Sequence, residues 1–200
     1  VITMSMAGLP SKVMARAVNR AYEHGIVIVS AASNSWSRGM GHLAPKKTLY
    51  PSRYDRVITA VGCTYDKVPY LNHLNTGSDR AAGGEYMQSC YGPQSVMPTT
   101  VAAYTPNIAW FNQKPGRKGD KYCVTTGGGT SSATPQIAAA AALYIQKYKN
   151  ILDQYTGKDA WKKAETVRRA IFNSADKKSD FTKSYFGNGM LKAHNALADD

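Results

Sequence analysis

The chain has 200 residues, of which 43% are hydrophobic and 10% aromatic, a composition typical of one folded globular domain and not of a disordered segment. Its 25 Lys and Arg against 13 Asp and Glu give a net charge of +12, but the basic residues form scattered pairs without any nucleic-acid-binding motif, which argues against a nucleic-acid partner. No apolar run approaches the roughly 18–20 residues that cross a bilayer, so we expect no membrane partner.

The first sixty residues are predicted to form a β-α-β unit and a further strand. Residues 1–6 form an apolar, β-branched run that indicates a buried strand. Ser11 is the predicted N-cap of the following helix, and Gly25 takes the left-handed position after its end. Residues 26–32 and 57–61 are continuous apolar runs. Such runs are typical of parallel strands that are buried on both faces.

The second half of the chain is predicted to be irregular at first and helical later. Residues 66–119 contain scattered Gly, Pro and Asn and are expected to form loops with short strands. A strand at residues 121–126 leads into a glycine-rich turn, and an alanine-rich helix is predicted for residues 136–149. A second helix carries an apolar face with Trp161 and Ile171, while Arg168 is assigned to the opposite, basic face. A short closing helix is expected to run through Leu197.

The glycine-rich turn places Ser131 where a nucleophile would gain from its surroundings. Glycines allow close approach of a substrate, and the N–H groups at a helix N-terminus stabilise an oxyanion. A phosphate-cradling loop is a competing interpretation, although no lysine follows in the P-loop position. A plain helix cap formed by Ser131 or Ser132 is a third. A lipase-type turn fits less well, because Ala133 stands where its second glycine belongs.

Two stretches resemble the subtilisin-like serine proteases. Residues 129–135 read Gly-Thr-Ser-Ser-Ala-Thr-Pro and are similar to the family's nucleophile motif Gly-Thr-Ser-x-Ala-x-Pro, which aligns Ser131 with the catalytic serine. Gln136 follows where the subtilisins usually have histidine. Residues 28–34 resemble the apolar strand that ends in Ala-Ala-Gly-Asn, whose asparagine donates its amide to the oxyanion. The resemblance therefore implies that Ser131 and Asn34 are catalytic residues.

The same resemblance implies a peptide-binding groove. Residues 1–8 look like the family strand that borders the substrate, with Ala7 in place of a glycine. An extended peptide would add to this segment as an extra strand. Leu49 is expected to form the floor of the specificity pocket and to shorten it. The residues predicted to bind substrate are Ser5, Met6, Ala7, Ala31, Ala32, Ser33, Leu49, Gly129 and Thr130.

The resemblance also implies a fold and an activity. We expect an α/β fold, with three αβα layers around a mostly parallel sheet, in which residues 1–200 are the C-terminal portion of a single subtilisin-like peptidase domain. The triad aspartate and histidine would lie upstream, because neither family motif occurs here and the four histidines are interpreted as structural or solvated. The predicted function is a serine endopeptidase that works through an acyl-enzyme on Ser131 and is inactive as the isolated chain. The alternative is a non-catalytic module that binds a peptide or a partner.

The expected partners are a polypeptide substrate and the upstream part of the same catalytic domain. No cofactor is predicted; family members often bind calcium, but no ligand set maps onto this sequence. The resemblance favours secretion. Three cysteines, Cys63, Cys90 and Cys123, lack the short spacings of metal or redox sites. One bridge with a free thiol and three separate thiols are both compatible with this count.

Overall fold

The fold is built around a parallel sheet. A computed structural model describes residues 1–36, 47–71, 87–105, 108–114 and 121–198. The strands are β1 (Ile2–Met4), β2 (Ile28–Ala31), β3 (Asn34–Trp36), β4 (Ile58–Cys63), β5 (Met87–Ser89), β6 (Thr100–Tyr104), β7 (Ile108–Lys114) and β8 (Lys121–Gly127). The helices are α1 (Lys12–Glu23), α2 (Thr130–Lys147), α3 (Lys149–Leu152), α4 (Trp161–Ser174) and α5 (Ala193–Ala196).

The main sheet has four strands in the order β1-β2-β4-β6, and all its pairs are parallel. Its register aligns Met4 with Ser30, Ser30 with Thr59, and Thr59 with Thr100. The segments that follow β1 and β2 therefore leave the same edge of the sheet, at the carboxyl ends of neighbouring strands. Ligands of open α/β sheets bind at this edge. Two antiparallel pairs, β3 with β5 and β7 with β8, complete the described sheets.

The local signals around α1 are where the sequence predicts them. The Ser11 side chain accepts a hydrogen bond from the Met14 backbone N–H at 3.4 Å and so caps the helix. Gly25 follows the end of α1 with a φ of +75°, a left-handed conformation that glycine adopts without strain. The helix thus connects β1 to β2 as the crossover of a parallel β-α-β unit.

Both faces of the sheet are covered. On one face, α2 places Ala133 and Ile137 in a core cluster with Val29, Ala60 and Val101. The same cluster includes Ala164, Val167 and Ile171 of α4. On the other face, Phe186 and Met190 pack with Val61 and Ala102. The continuous apolar strands predicted from the sequence are therefore a consequence of burial on two sides.

Two sequence predictions are wrong in detail. β1 is an edge strand with exposed residues Val1 and Ile2, because only one of its sides is paired. The region expected to form loops with short strands contains the short strand β6, whose residues 100–103 are buried in the main sheet. Helix α2 begins at Thr130 and not at Gln136, because Pro135 is accommodated within the helix.

Arg168 does not lie on a solvated face as predicted. It is only 7% exposed, and its Nη2 donates a 2.7 Å hydrogen bond to the Asp55 carbonyl oxygen. Its guanidinium group also lies over the rings of Tyr22 and Phe172, at 5.6 and 5.7 Å from their centroids. The packing of α4 against α1 and the loop before β4 thus buries a cation that helical periodicity assigned to the surface.

Candidate active site

Ser131 lies in the first turn of α2, directly after the glycine-rich turn that leaves β8. The N-cap is Gly129, whose φ of +76° places it in the left-handed region that favours glycine. The Ser132 N–H donates to the Gly129 carbonyl oxygen at 3.0 Å and closes the turn. The first N–H groups of a helix have no acceptor four residues earlier within the helix, and the Ser132 N–H uses the N-cap carbonyl instead. The Ser131 N–H is therefore available to an anion that forms next to the Ser131 hydroxyl.

Asn34 is joined to the residue that precedes Ser131. Its Oδ1 accepts hydrogen bonds from the Thr130 backbone N–H at 2.8 Å and from the Thr130 hydroxyl at 3.2 Å. Since both bonds use the oxygen of the amide, its NH₂ group keeps its donor capacity. Within the described residues, no acceptor bonds to this NH₂ group. The side-chain amide of Asn34 and the backbone N–H of Ser131 are thus brought to the same end of α2.

The residue before Asn34 has an unusual backbone conformation. Ser33 has a φ of +99°, a value that is strained for a residue with a side chain. The family stretch Ala-Ala-Gly-Asn has glycine at this position. A hydrogen bond of 3.0 Å from the Cys90 N–H to the Ser33 carbonyl oxygen supports the turn. The chain therefore holds a strained serine where it turns out of β2 towards Asn34.

Ser5, Met6 and Ala7 form an exposed segment between β1 and a backbone bridge. The bridge joins Gly8 and Tyr50 in both directions, with N···O distances of 2.8 and 3.2 Å. Met6 is 53% exposed. An exposed, extended segment at the carboxyl end of an edge strand is suited to pairing with a peptide. Substrate binding by these three residues stays a prediction.

The other residues predicted to bind substrate are less accessible. Ala31, Ala32, Gly129 and Thr130 are buried. The Leu49 N–H donates to the Ala32 carbonyl oxygen at 3.0 Å, so the predicted floor of the specificity pocket lies next to Ala32. Thr130 bonds Asn34 and is 0% exposed, so it supports Asn34, while its contact with substrate stays a prediction. Ser33 and Leu49 are half-buried.

Sequence reasoning identified Gln136 only as a departure from the family motif. Its side-chain Nε2 donates to two carbonyl oxygens, those of Ser132 and Tyr104, both at 2.8 Å. These bonds join the first turns of α2 to the end of β6. A glutamine six residues after a helix start carries no signal of this role, because its partner Tyr104 becomes a neighbour only in the folded chain.

The described histidines and Cys63 have structural surroundings. His24 caps α1, with its Nδ1 2.8 Å from the Arg20 carbonyl oxygen, and His194 lies in α5; His42 and His73 lie outside the described residues. Cys63 and Cys90 are buried. Burial raises the pKa of Cys63 to about 12, with a smaller contribution from Asp66. Its thiol is therefore a poor source of nucleophilic thiolate.

The described residues contain neither a metal-binding cluster nor a membrane-spanning helix. No cluster of three or more His, Cys, Asp and Glu side chains was found that is arranged to hold a metal ion. No described helix combines the length and apolar character of a membrane span.

Comparison with known proteins identifies the family. The model of the subtilase family matches residues 1–189. Subtilisin DY of Bacillus licheniformis is 29% identical over 197 residues, which cover 98% of this chain and 56% of that protein. Thermitase of Thermoactinomyces vulgaris is 29% identical over 200 residues, with coverages of 98% and 53%. The chain thus spans about half the length of these curated relatives.

The fold agrees with this result. The crystal structure of MycP1 from Mycobacterium smegmatis superimposes with a TM-score of 0.65 at 20% identity, and covers 100% of this chain and 50% of its own. Because the family model matches nearly the whole chain, and because the parallel sheet, the helices and a structural neighbour agree with it, the chain belongs to the subtilase family.

Proposed function

We propose that this chain forms the nucleophile-bearing part of a serine endopeptidase. The Ser131 hydroxyl attacks the carbonyl carbon of a peptide bond, and the Asn34 amide with the Ser131 N–H stabilises the oxyanion. The C–N bond then breaks, the amine leaves with the proton that Ser131 gave up, and water hydrolyses the acyl-enzyme. The observation that carries this proposal is the 2.8 Å bond from the Thr130 N–H to Asn34 Oδ1, which orients the amide beside the nucleophile.

The general base is proposed to come from the upstream part of the same domain. A serine hydroxyl is a weak nucleophile without a base, and losing triad members leaves only about 10³- to 10⁴-fold catalysis over water. Within the described residues, no side chain accepts a hydrogen bond from the Ser131 hydroxyl. The unpaired side of β1 supports this proposal, because an open strand edge is a place where further chain adds to a sheet.

The substrate is proposed to be a polypeptide in extended conformation. The exposed segment of Ser5, Met6 and Ala7 offers backbone groups to such a chain next to β1. The alternative function, a module that binds a peptide and cuts nothing, uses the same segment. It is favoured by the lack of a base for Ser131 among the described residues, together with Ala7 and Gln136, which depart from the family pattern. It predicts binding without acylation.

Labelling with a fluorophosphonate, read by intact mass, distinguishes these functions. We expect the full-length protein to gain one label at Ser131, and the isolated chain to be labelled only after its upstream segment is added. Ser131→Ala should abolish labelling. Ser132→Ala, which changes the buried neighbouring serine, is the matched control and should retain it. A full-length protein that gains no label at Ser131 would overturn the endopeptidase and favour the binding module.

A further inference from the structure

The carbonyl oxygen of Ser131 has an unusual position in α2. In an α-helix, the N–H of each residue bonds the carbonyl oxygen four residues earlier. The residue four positions after Ser131 is Pro135, which lies inside the helix and has no N–H. The backbone of α2 therefore offers no donor to the carbonyl oxygen of the proposed nucleophile.

A side chain from the segment after β1 supplies the missing hydrogen-bond donor. Ser5, directly after β1, donates its hydroxyl to the Ser131 carbonyl oxygen at 3.1 Å, across 126 residues of sequence. The neighbouring carbonyl oxygens, those of Thr130 and Ser132, accept hydrogen bonds from side chains of α2 itself. Thr130 accepts from the Thr134 hydroxyl at 2.7 Å, and Ser132 accepts from Gln136 Nε2 at 2.8 Å.

We infer that the Ser5 hydroxyl is a positioning residue for Ser131, an inference that rests on the proposed function of Ser131 as nucleophile. Two bonds then hold the first turn of α2 against the carboxyl ends of the paired strands β1 and β2. One joins the Thr130 N–H to Asn34 Oδ1, and the other joins Ser5 Oγ to the Ser131 carbonyl oxygen. Loss of the second bond would let the nucleophile move relative to the oxyanion donors, and small displacements of reacting groups slow a reaction markedly.

The first test compares Ser5→Thr with Ser5→Val in the full-length protein. These side chains have nearly the same shape and differ in a hydroxyl against a methyl group. We expect Ser5→Val to reduce kcat and the rate of fluorophosphonate labelling by about three- to tenfold, the value of one ordinary hydrogen bond. Ser5→Thr, which keeps the hydroxyl, should lose less of the parent rate than Ser5→Val. KM should change little, because a peptide that pairs with this segment uses the Ser5 backbone.

The second test restores the missing donor. Pro135 is exposed, and Pro135→Ala supplies an N–H to the Ser131 carbonyl oxygen from within the helix. In that background, the ratio of the Ser5→Thr rate to the Ser5→Val rate should approach one. A ratio that is equal with and without Pro135 would overturn the inference, because it would show that the hydroxyl acts elsewhere. Ser5→Ala, which removes the hydroxyl without added bulk, replaces Ser5→Val if the valine variant does not fold.

Failure of the inference and failure of the proposed function give different results. If the unmodified full-length protein is not labelled at Ser131, the proposed function and the inference are both overturned. If it is labelled and cleaves peptides, but Ser5→Val and Ser5→Ala keep the parent kcat, only the positioning role of Ser5 is overturned.

Discussion

Substitution of Asn34 by Asp separates its two tasks in the structure. Asn34 Oδ1 accepts two bonds from Thr130, while the amide NH₂ is the proposed oxyanion donor. Asp keeps an oxygen for Thr130 and replaces the donor with a second, negatively charged oxygen. We therefore expect Asn34→Asp in the full-length protein to lower kcat by at least about 10²- to 10³-fold, the loss measured for removal of such a donor in a subtilisin, a relative of this chain.

The matched variant is Asn34→Leu, which removes donor and acceptor together. Thr130 is 0% exposed, so its N–H and hydroxyl would lose their partner in a buried place. Leaving a buried donor unpaired costs about 1–3 kcal/mol of unfolding free energy. For both variants, peptide hydrolysis gives kcat and denaturant unfolding gives the unfolding free energy. We expect Asn34→Asp to be catalytically impaired but stable, and Asn34→Leu to be impaired and destabilised.

Either of two results would refute this reasoning. An Asn34→Asp enzyme with nearly the parent kcat would show that the amide does not stabilise the oxyanion. An Asn34→Leu protein as stable as the parent would show that the bonds to Thr130 do not anchor the start of α2.

Three further predictions concern strain, charge and burial. Ser33→Gly should raise the thermal unfolding midpoint by a few degrees, whereas Ser33→Ala should not. Glycine relieves about 1–2 kcal/mol of strain in the left-handed conformation, which exceeds the free-energy cost of its greater conformational entropy in the unfolded chain. Burial alone would raise the pKa of Glu165, but hydrogen bonds from Tyr22 and Arg169 and two arginine charges lower it below its ordinary 4.5. Glu165→Gln should therefore reduce the unfolding free energy above about pH 4.5. The difference between the variant and the parent should vanish as the pH falls through the lowered folded-state pKa of Glu165. A difference that grows in acid would contradict the assignment. Since burial raises the pKa of Cys63 to about 12, iodoacetamide at pH 8 should alkylate it only after unfolding, as peptide mapping of native and denatured protein would show.

The elements that were predicted correctly depend on neighbours in sequence. The cap at Ser11, the left-handed Gly25 and the apolar runs around β2 and β4 are local patterns, and they indicate a β-α-β unit without knowledge of the rest of the chain. The motif that contains Ser131 is likewise a continuous stretch, and it led to the correct family.

The errors have a common cause, which is that distant parts of the chain override the local pattern. Short strands were expected near β6, but its place in the main sheet comes from pairing with β4. Arg168 was placed on the surface because helical periodicity does not reveal that the loop around Asp55 and the ring of Tyr22 cover that side of α4. The sequence also did not reveal that both donors of Thr130 bond Asn34 Oδ1.

The sequence by itself determined the family, the α/β character and the two residues, Ser131 and Asn34, that are proposed to carry the chemistry, because each belongs to a short motif whose residue types the reaction requires. Only the tertiary structure decided how those residues are held. Asn34 and Thr130 are 96 residues apart, and Ser5 and Ser131 are 126 apart. Such bonds form where parallel strands end at one edge of the sheet, and no local pattern of residues encodes that convergence.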